Sequence, residues 1–225
     1  MKKILVVVAH PDDEVLGCGG TIARYSKSGN MVYCLILGEG VTSRYSSRRK
    51  ADFRKVRILK KQAKESGQIL GIEKIYFGNF PDNRFDAVPF LDIIKMIEDA
   101  KEKIRPDIIY THHYGDLNID HCITHKAVMT ACRPLAGDSV KEIYSFEIPS
   151  STEWGYEGQF LPDVYVDITE TFDKKLKALK VYRGEIKKFP HPRSPESLEI
   201  IAKRWGIKVA MNMAEPFRLL RSLKK

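Results

Sequence analysis

At 225 residues, with 43% hydrophobic and 30% charged positions, the chain has the size and composition of one ordinary soluble globular domain with a sizeable core. No apolar run approaches the roughly 20 residues needed to span a bilayer. Four cysteines without C-x-x-C pairing, and an N-terminus that lacks a cleavable leader, read as reduced thiols in a cytoplasmic protein. The formal charge of +9 favours an anionic partner, but no basic motif with interleaved aromatics is present, so nucleic acid is set aside.

In chain order, residues 3–9 are a β-branched run that predicts a strand buried on both faces, followed by a helix to about residue 28 that stops at Gly29-Asn30. Residues 31–37 predict a second strand. A polar loop leads to a long basic amphipathic helix over 47–70, whose charge run is read as a solvated face. A short strand at 75–77, an irregular loop over 78–86 and a helix over 89–104 follow. Next come a strand at 107–110 and a helix over 120–133. Two further strands, 143–147 and 164–168, flank an aromatic-polar loop. Helices over 170–182 and 196–205 are expected to end the chain. Strands alternating with helices predict a single α/β domain over 1–225, a mostly parallel, Rossmann-like sheet flanked by helices.

Two loops stand out. AHPDDE (residues 9–14) packs His10, Asp12, Asp13 and Glu14 into the turn after the first strand. A second cluster, from Thr111 to His125, follows the strand at 107–110 and also enters a helix. Five of the six histidines lie in these two loops. An Asp at a strand-to-helix turn is ordinary capping chemistry. Histidines gathered at the same end of two strands are not, because open α/β sheets bind ligands at the carboxyl ends of their strands.

Zinc hydrolases commonly use two histidines and one carboxylate and leave a position for water. They also need a nearby carboxylate that is not a ligand to take the water's proton. One aspartate of the Asp12-Asp13 pair can bind the metal while its neighbour serves as base, and His121 is the natural third ligand. The same ligand set also suits Fe(II) oxygen chemistry, so a metal-dependent oxidoreductase is the alternative; the spare carboxylate favours hydrolysis. A nucleotide-binding domain without metal chemistry fits less well, since Gly17-Cys18-Gly19-Gly20 comes too late and lacks G-x-G-x-x-G spacing.

AHPDDE after the first strand, the distal D-x-N-x-D-H-x-x-x-H run (residues 116–125) and Ala214-Glu215-Pro216-Phe217 together resemble the LmbE-like (PIG-L) family of zinc-dependent de-N-acetylases. The resemblance implies a Zn²⁺ cofactor held by His10, Asp13 and His121, with Asp12 as general base and Asp120 as a carboxylate that orients a neighbouring imidazole or donor. It implies a small N-acetylated sugar substrate, linked in some members to phosphate, nucleotide or lipid, and self-association into a homo-oligomer. The chain departs from the family at Asn118, where several members carry a histidine assigned to charge relay or oxyanion support. An amide donates a hydrogen bond but shuttles no proton. Protonation of the leaving amine therefore falls to Asp12, with His112, His113 and His125 as alternatives. Further candidates for contacting substrate are Arg44, Arg84, Asn118, Glu147 and Arg193, together with Trp154 and Tyr156 as a stacking platform or lid.

Overall fold

The computed structural model describes residues 1–156 and 158–224. The fold grows from β1 (Lys3–Val8), whose uninterrupted apolar sequence suits a strand with neighbours on both edges and cover on both faces. It pairs in parallel with β2 (Met31–Gly38) on one edge and with β4 (Ile108–His112) on the other. β3 (Lys74–Phe80) and β5 (Glu142–Phe146) extend the parallel sheet outward. The full order is β3-β2-β1-β4-β5-β7-β6, with β6 at Val164–Asp167 and β7 at Ala214–Ser222. Only β7 runs against its neighbours.

Alternate residues of β1 point to opposite faces. Ile4, Val6 and Val8 pack with α1 (Asp13–Lys27), α2 (Phe53–Leu70) and α5 (Phe172–Val181). Leu5, Val7 and Ala9 pack with α3 (Phe90–Ile104) and α4 (Ile119–Ala131) on the other side. α6 (Pro195–Ile207) is capped by the Ser194 side chain, with Pro195 in its first turn.

Two expectations need correction. The long basic helix begins at Phe53 rather than at 47, because Asp52 accepts the Arg54 amide and caps it; residues Arg48–Lys50 form a separate 3-10 turn. The chain also does not end in two helices. Pro216, which cannot donate to a ladder, together with Arg218 and Arg221 disguises the nine-residue strand β7.

Candidate metal centre

Strand order reverses between β1 and β4, since the chain moves outward from β1 through β2 to β3 and then returns to β4 on the far side. The loops leaving the carboxyl ends of these two strands diverge and open the crevice in which α/β proteins bind ligands. The loop after β1 carries His10 and Asp12. The loop after β4 carries Asp116 and Asn118, and α4 carries Asp120 and His121 in its first turn.

Asp12 holds a left-handed backbone, φ 104°, a conformation that a side chain with a Cβ adopts only at a cost. Several contacts hold it there. The Asp12 carbonyl accepts the amides of Val15 and Leu16, and its own amide donates to Glu14 Oε2 at 3.1 Å. Tyr182 donates to the other Glu14 oxygen at 2.6 Å. Burial raises the Glu14 pKa to about 7, against the Tyr182 hydrogen bond. The turn aims adjacent carboxylates differently: Asp13 meets the His10 and His121 rings, while Asp12 meets Arg193 at the cavity wall.

His10, Asp13 and His121 each offer one ligand atom, all within 4.8 Å of one another, and all three residues are buried. Asp13 Oδ2 stands 3.5 Å from His10 Nδ1 and 3.4 Å from His121 Nε2. The far nitrogen of each imidazole meets a carboxylate: His10 Nε2 lies 2.9 Å from Asp120 Oδ2, and His121 Nδ1 lies 3.1 Å from Asp116 Oδ1. A carboxylate beside the far nitrogen favours a proton there and leaves the near lone pair free, the usual support of a metal-ligating histidine. Both ring nitrogens of His121 are buried without a well-directed hydrogen bond: Nδ1 meets Asp116 as a close contact only, and Nε2, beside Asp13, has no partner of its own. The donor set and this orphaned atom fit a divalent cation such as zinc.

The supports are themselves anchored. Asp120 accepts the backbone amides of Asn83 and Phe85 at 2.6 and 2.9 Å, so the loop after β3 fixes its orientation. Asp116 accepts from the hydroxyls of Ser151 and Thr152. Burial opposes its ionisation, but His121 and these hydroxyls bring its pKa down to about 2. Burial likewise opposes a charge on His121, yet Asp13 and Asp116 lift its pKa to about 9, which marks a surplus of negative charge around the imidazoles. Asp82 Oδ1, 3.3 Å from His10 Nε2, adds to that surplus.

A cavity of about 160 Å³ opens over the cluster, lined among others by His10, Asp12, Asp13, Asn118, His121, Arg44 and Arg193. Asn118 spends its oxygen as the cap of α4, accepting the Asp120 amide at 2.9 Å, which fixes the orientation of the amide group. Arg193 Nη1 contacts Asp12 Oδ2 at 3.0 Å, and its Nε donates to Ser150 Oγ at 2.7 Å. Arg44 pairs with both oxygens of Glu185 at 2.6 and 2.8 Å.

Other candidates lie elsewhere. Arg84 is exposed and outside the cavity lining. Glu147 accepts the Trp205 indole N–H at 2.6 Å in a separate groove against α6. Trp154 stands edge-on to His191, and Tyr156 is almost fully exposed. His113 and His125 contact the carbonyls of Gly158 and His112, respectively, away from the cavity. His112 accepts the Ala9 amide at Nε2 and stacks on His121, behind the cluster. Sequence reasoning left Asp82, Asn83, Asp116 and Glu185 without roles. Asp116 stands inside the distal motif and could have been found there; the other three carry no spacing signal.

An α/β sheet with a buried two-histidine, one-carboxylate cluster at its switch point defines a Rossmann-like α/β protein with a candidate metal site. Residues 5–132 match the family model described as PIG-L: GlcNAc-PI de-N-acetylase, and the chain belongs to that family. It is 31% identical to the uncharacterized deacetylase YaiS of Escherichia coli over 195 residues, 81% of this chain and 91% of the relative. It is 27% identical to the 4-oxalmesaconate hydratase of Pseudomonas putida over 202 residues, covering 82% of this chain and 74% of that protein. Among solved structures, N,N'-diacetylchitobiose deacetylase from Pyrococcus horikoshii superposes with a TM-score of 0.75 at 25% identity, covering 98% of this chain and 84% of that one.

Proposed function

We propose that this protein is a zinc-dependent hydrolase that removes the N-acetyl group from an amino sugar or its conjugate, releasing acetate and a free amine. The observation that carries the reading is the convergence of His10, Asp13 and His121, with both imidazoles backed by carboxylates and Asp12 beside them, facing the cavity. The deacetylases among its relatives support the same reaction.

A zinc ion held by His10, Asp13 and His121 would supply a Lewis acid and make water nucleophilic near neutral pH. Asp12 takes the proton of the water that attacks the acetamide carbonyl, and Arg193 orients its carboxylate. Asn118, its oxygen spent on the helix cap, has its amide N–H group left to donate toward the oxygen that gains charge. Asp12 then returns the proton to the departing amine. Both arginines of the cavity already have carboxylate partners, which supports a neutral conjugate over a phosphate-linked one.

The test is a panel of neutral and phosphorylated N-acetylglucosamine conjugates, scored for acetate and amine with zinc and with chelator. Zinc-dependent release of both products, fastest from neutral conjugates, is expected. The hydratase relative gives water addition to 4-oxalmesaconate as a second reading; loss of that substrate's absorbance without acetate release would select it. Acetate release also separates hydrolysis from Fe(II) oxygen chemistry at the same ligand set.

A further inference from the structure

α1 is broken near its start. At Cys18 the backbone leaves the helical region (φ −148°, ψ 24°), separating a short segment that begins at Asp13 from a longer helix beyond it. A break of this kind strands the carbonyls of the turn before it and the amides of the turn after it. One buried pair meets both needs. Glu215, at the start of β7, accepts Gly20 N–H at 2.9 Å on one oxygen and Thr21 N–H at 2.7 Å on the other. Lys175, from α5, donates to Leu16 O at 2.9 Å and to Glu215 Oε1 at 2.7 Å. The side chains of Lys175 and Glu215 are only 8% and 3% exposed. The amide of Leu16 in turn donates to the carbonyl of Asp12 at 2.9 Å. Two hydrogen bonds through Leu16 therefore connect Lys175 to the strained Asp12.

A buried ion pair is a weak source of net stability, since desolvation offsets most of the attraction. Neither residue lines the cavity over the metal cluster. The geometry of the pair matches the break: an acceptor for the two freed amides and a donor for the freed carbonyl. We propose that Lys175 and Glu215 are positioning residues that hold the first segment of α1 at a set angle, and so fix Asp12 and Asp13 relative to His10 and His121. An unbroken helix would carry the Asp12–Asp13 turn along the axis of the segment after Cys18. The break lets that turn be aimed by α5 and β7 instead. The proposal rests on the zinc hydrolase reading of the site, because its consequence is the placement of a ligand and a base.

The test compares Lys175→Met and the double variant Lys175→Met/Glu215→Gln with Ile97→Ala. The control lies in α3, fully buried on the opposite face of the sheet. Three quantities are measured: zinc affinity by chelator competition, kcat and KM for the acetamide, and hydrogen exchange of residues 10–17 in zinc-free protein. Both pair variants are expected to bind zinc roughly tenfold or more weakly, the scale seen when residues supporting metal ligands are removed. They should lose kcat with little change in KM and exchange faster over 10–17. Ile97→Ala should lose thermal stability while zinc affinity and kcat stay within about twofold of the parent, as expected of a remote core substitution. Pair variants that match Ile97→Ala in all three quantities would overturn the proposal, as would pair variants that fail to fold under conditions where Ile97→Ala folds. A parent protein that neither binds zinc nor releases acetate would instead overturn the reading of the site, and the exchange data would then decide whether the pair restrains the segment.

Discussion

Asp12 shows how much one residue can be asked to do. It occupies a strained left-handed turn, faces the cavity and shares its carboxylate with Arg193. Asp12→Asn keeps the shape and removes the base, so turnover should fall by roughly 10²–10⁴-fold while zinc stays bound; activity assays paired with metal analysis check this. Full activity in that variant would refute the assignment. Glu147 is a residue of a different kind. Burial raises its pKa from 4.5 to about 7, against the Trp205 hydrogen bond. Between those two values the folded chain binds more protons at this site than the unfolded chain, so its contribution to stability falls as pH rises. The full shift corresponds to at most roughly 3–4 kcal/mol. Denaturant unfolding at pH 5 and pH 8 should therefore show a flatter pH dependence in Glu147→Gln than in the parent. At this scale the sequence singled out candidates in tight local motifs, His10 to Asp13 and Asn118 to His121, and passed over Asp116 beside them. It concealed those that act across long chain separations: Glu185 meets Arg44 141 residues away, and Tyr182 meets Glu14 168 residues away.

Among the elements, α1 is closely packed along its glycines. A Cβ on Gly17 would run into the ring of Phe146, and one on Gly20 would meet Ile168 Cγ2 at 2.7 Å. Gly17→Ala should therefore destabilise the fold by about 1–3 kcal/mol, the usual cost of overpacking a core. Gly19→Ala, whose Cβ would meet Lys175 Cγ at 3.2 Å, should cost less. Thermal unfolding of the two variants gives the order. The glycine cluster was visible in the sequence, but its purpose was not. Glycines weighed there only against a phosphate-binding loop serve to bring α1 against Phe146 at the end of β5 and Ile168 just past β6. Helix starts were misjudged where a good cap was not recognised, as at Asp52. β7 was missed because strand signals assume a donor at every other position and an apolar face, and Pro216, Arg218 and Arg221 obscure both.

For the molecule as a whole, a resident zinc ion should couple the two halves of the sheet. The proposed ligands come from the β1 side and the β4 side of the switch point, so binding would favour only the folded state. Zinc at a hundred times its dissociation constant adds about 2.7 kcal/mol. Chelator should lower the melting temperature of the parent and of Asp12→Asn, but leave Asp13→Asn unchanged; calorimetry with and without chelator reads all three. The α/β architecture was legible because alternating strands and helices leave few other topologies, and the family match over residues 5–132 takes in both motifs that mark the site. Among the described residues, no helix is long and apolar enough to cross a membrane.

The place of β7 has a consequence for biosynthesis. This strand slots between β5 and β6, and its Glu215 reaches back 195 residues to Gly20. A nascent chain that has emerged only as far as α6 leaves β6 without its ladder neighbour and α1 without its clip. The acidic turn after β1 is therefore secured only once β7, at Ala214–Ser222, has left the ribosome.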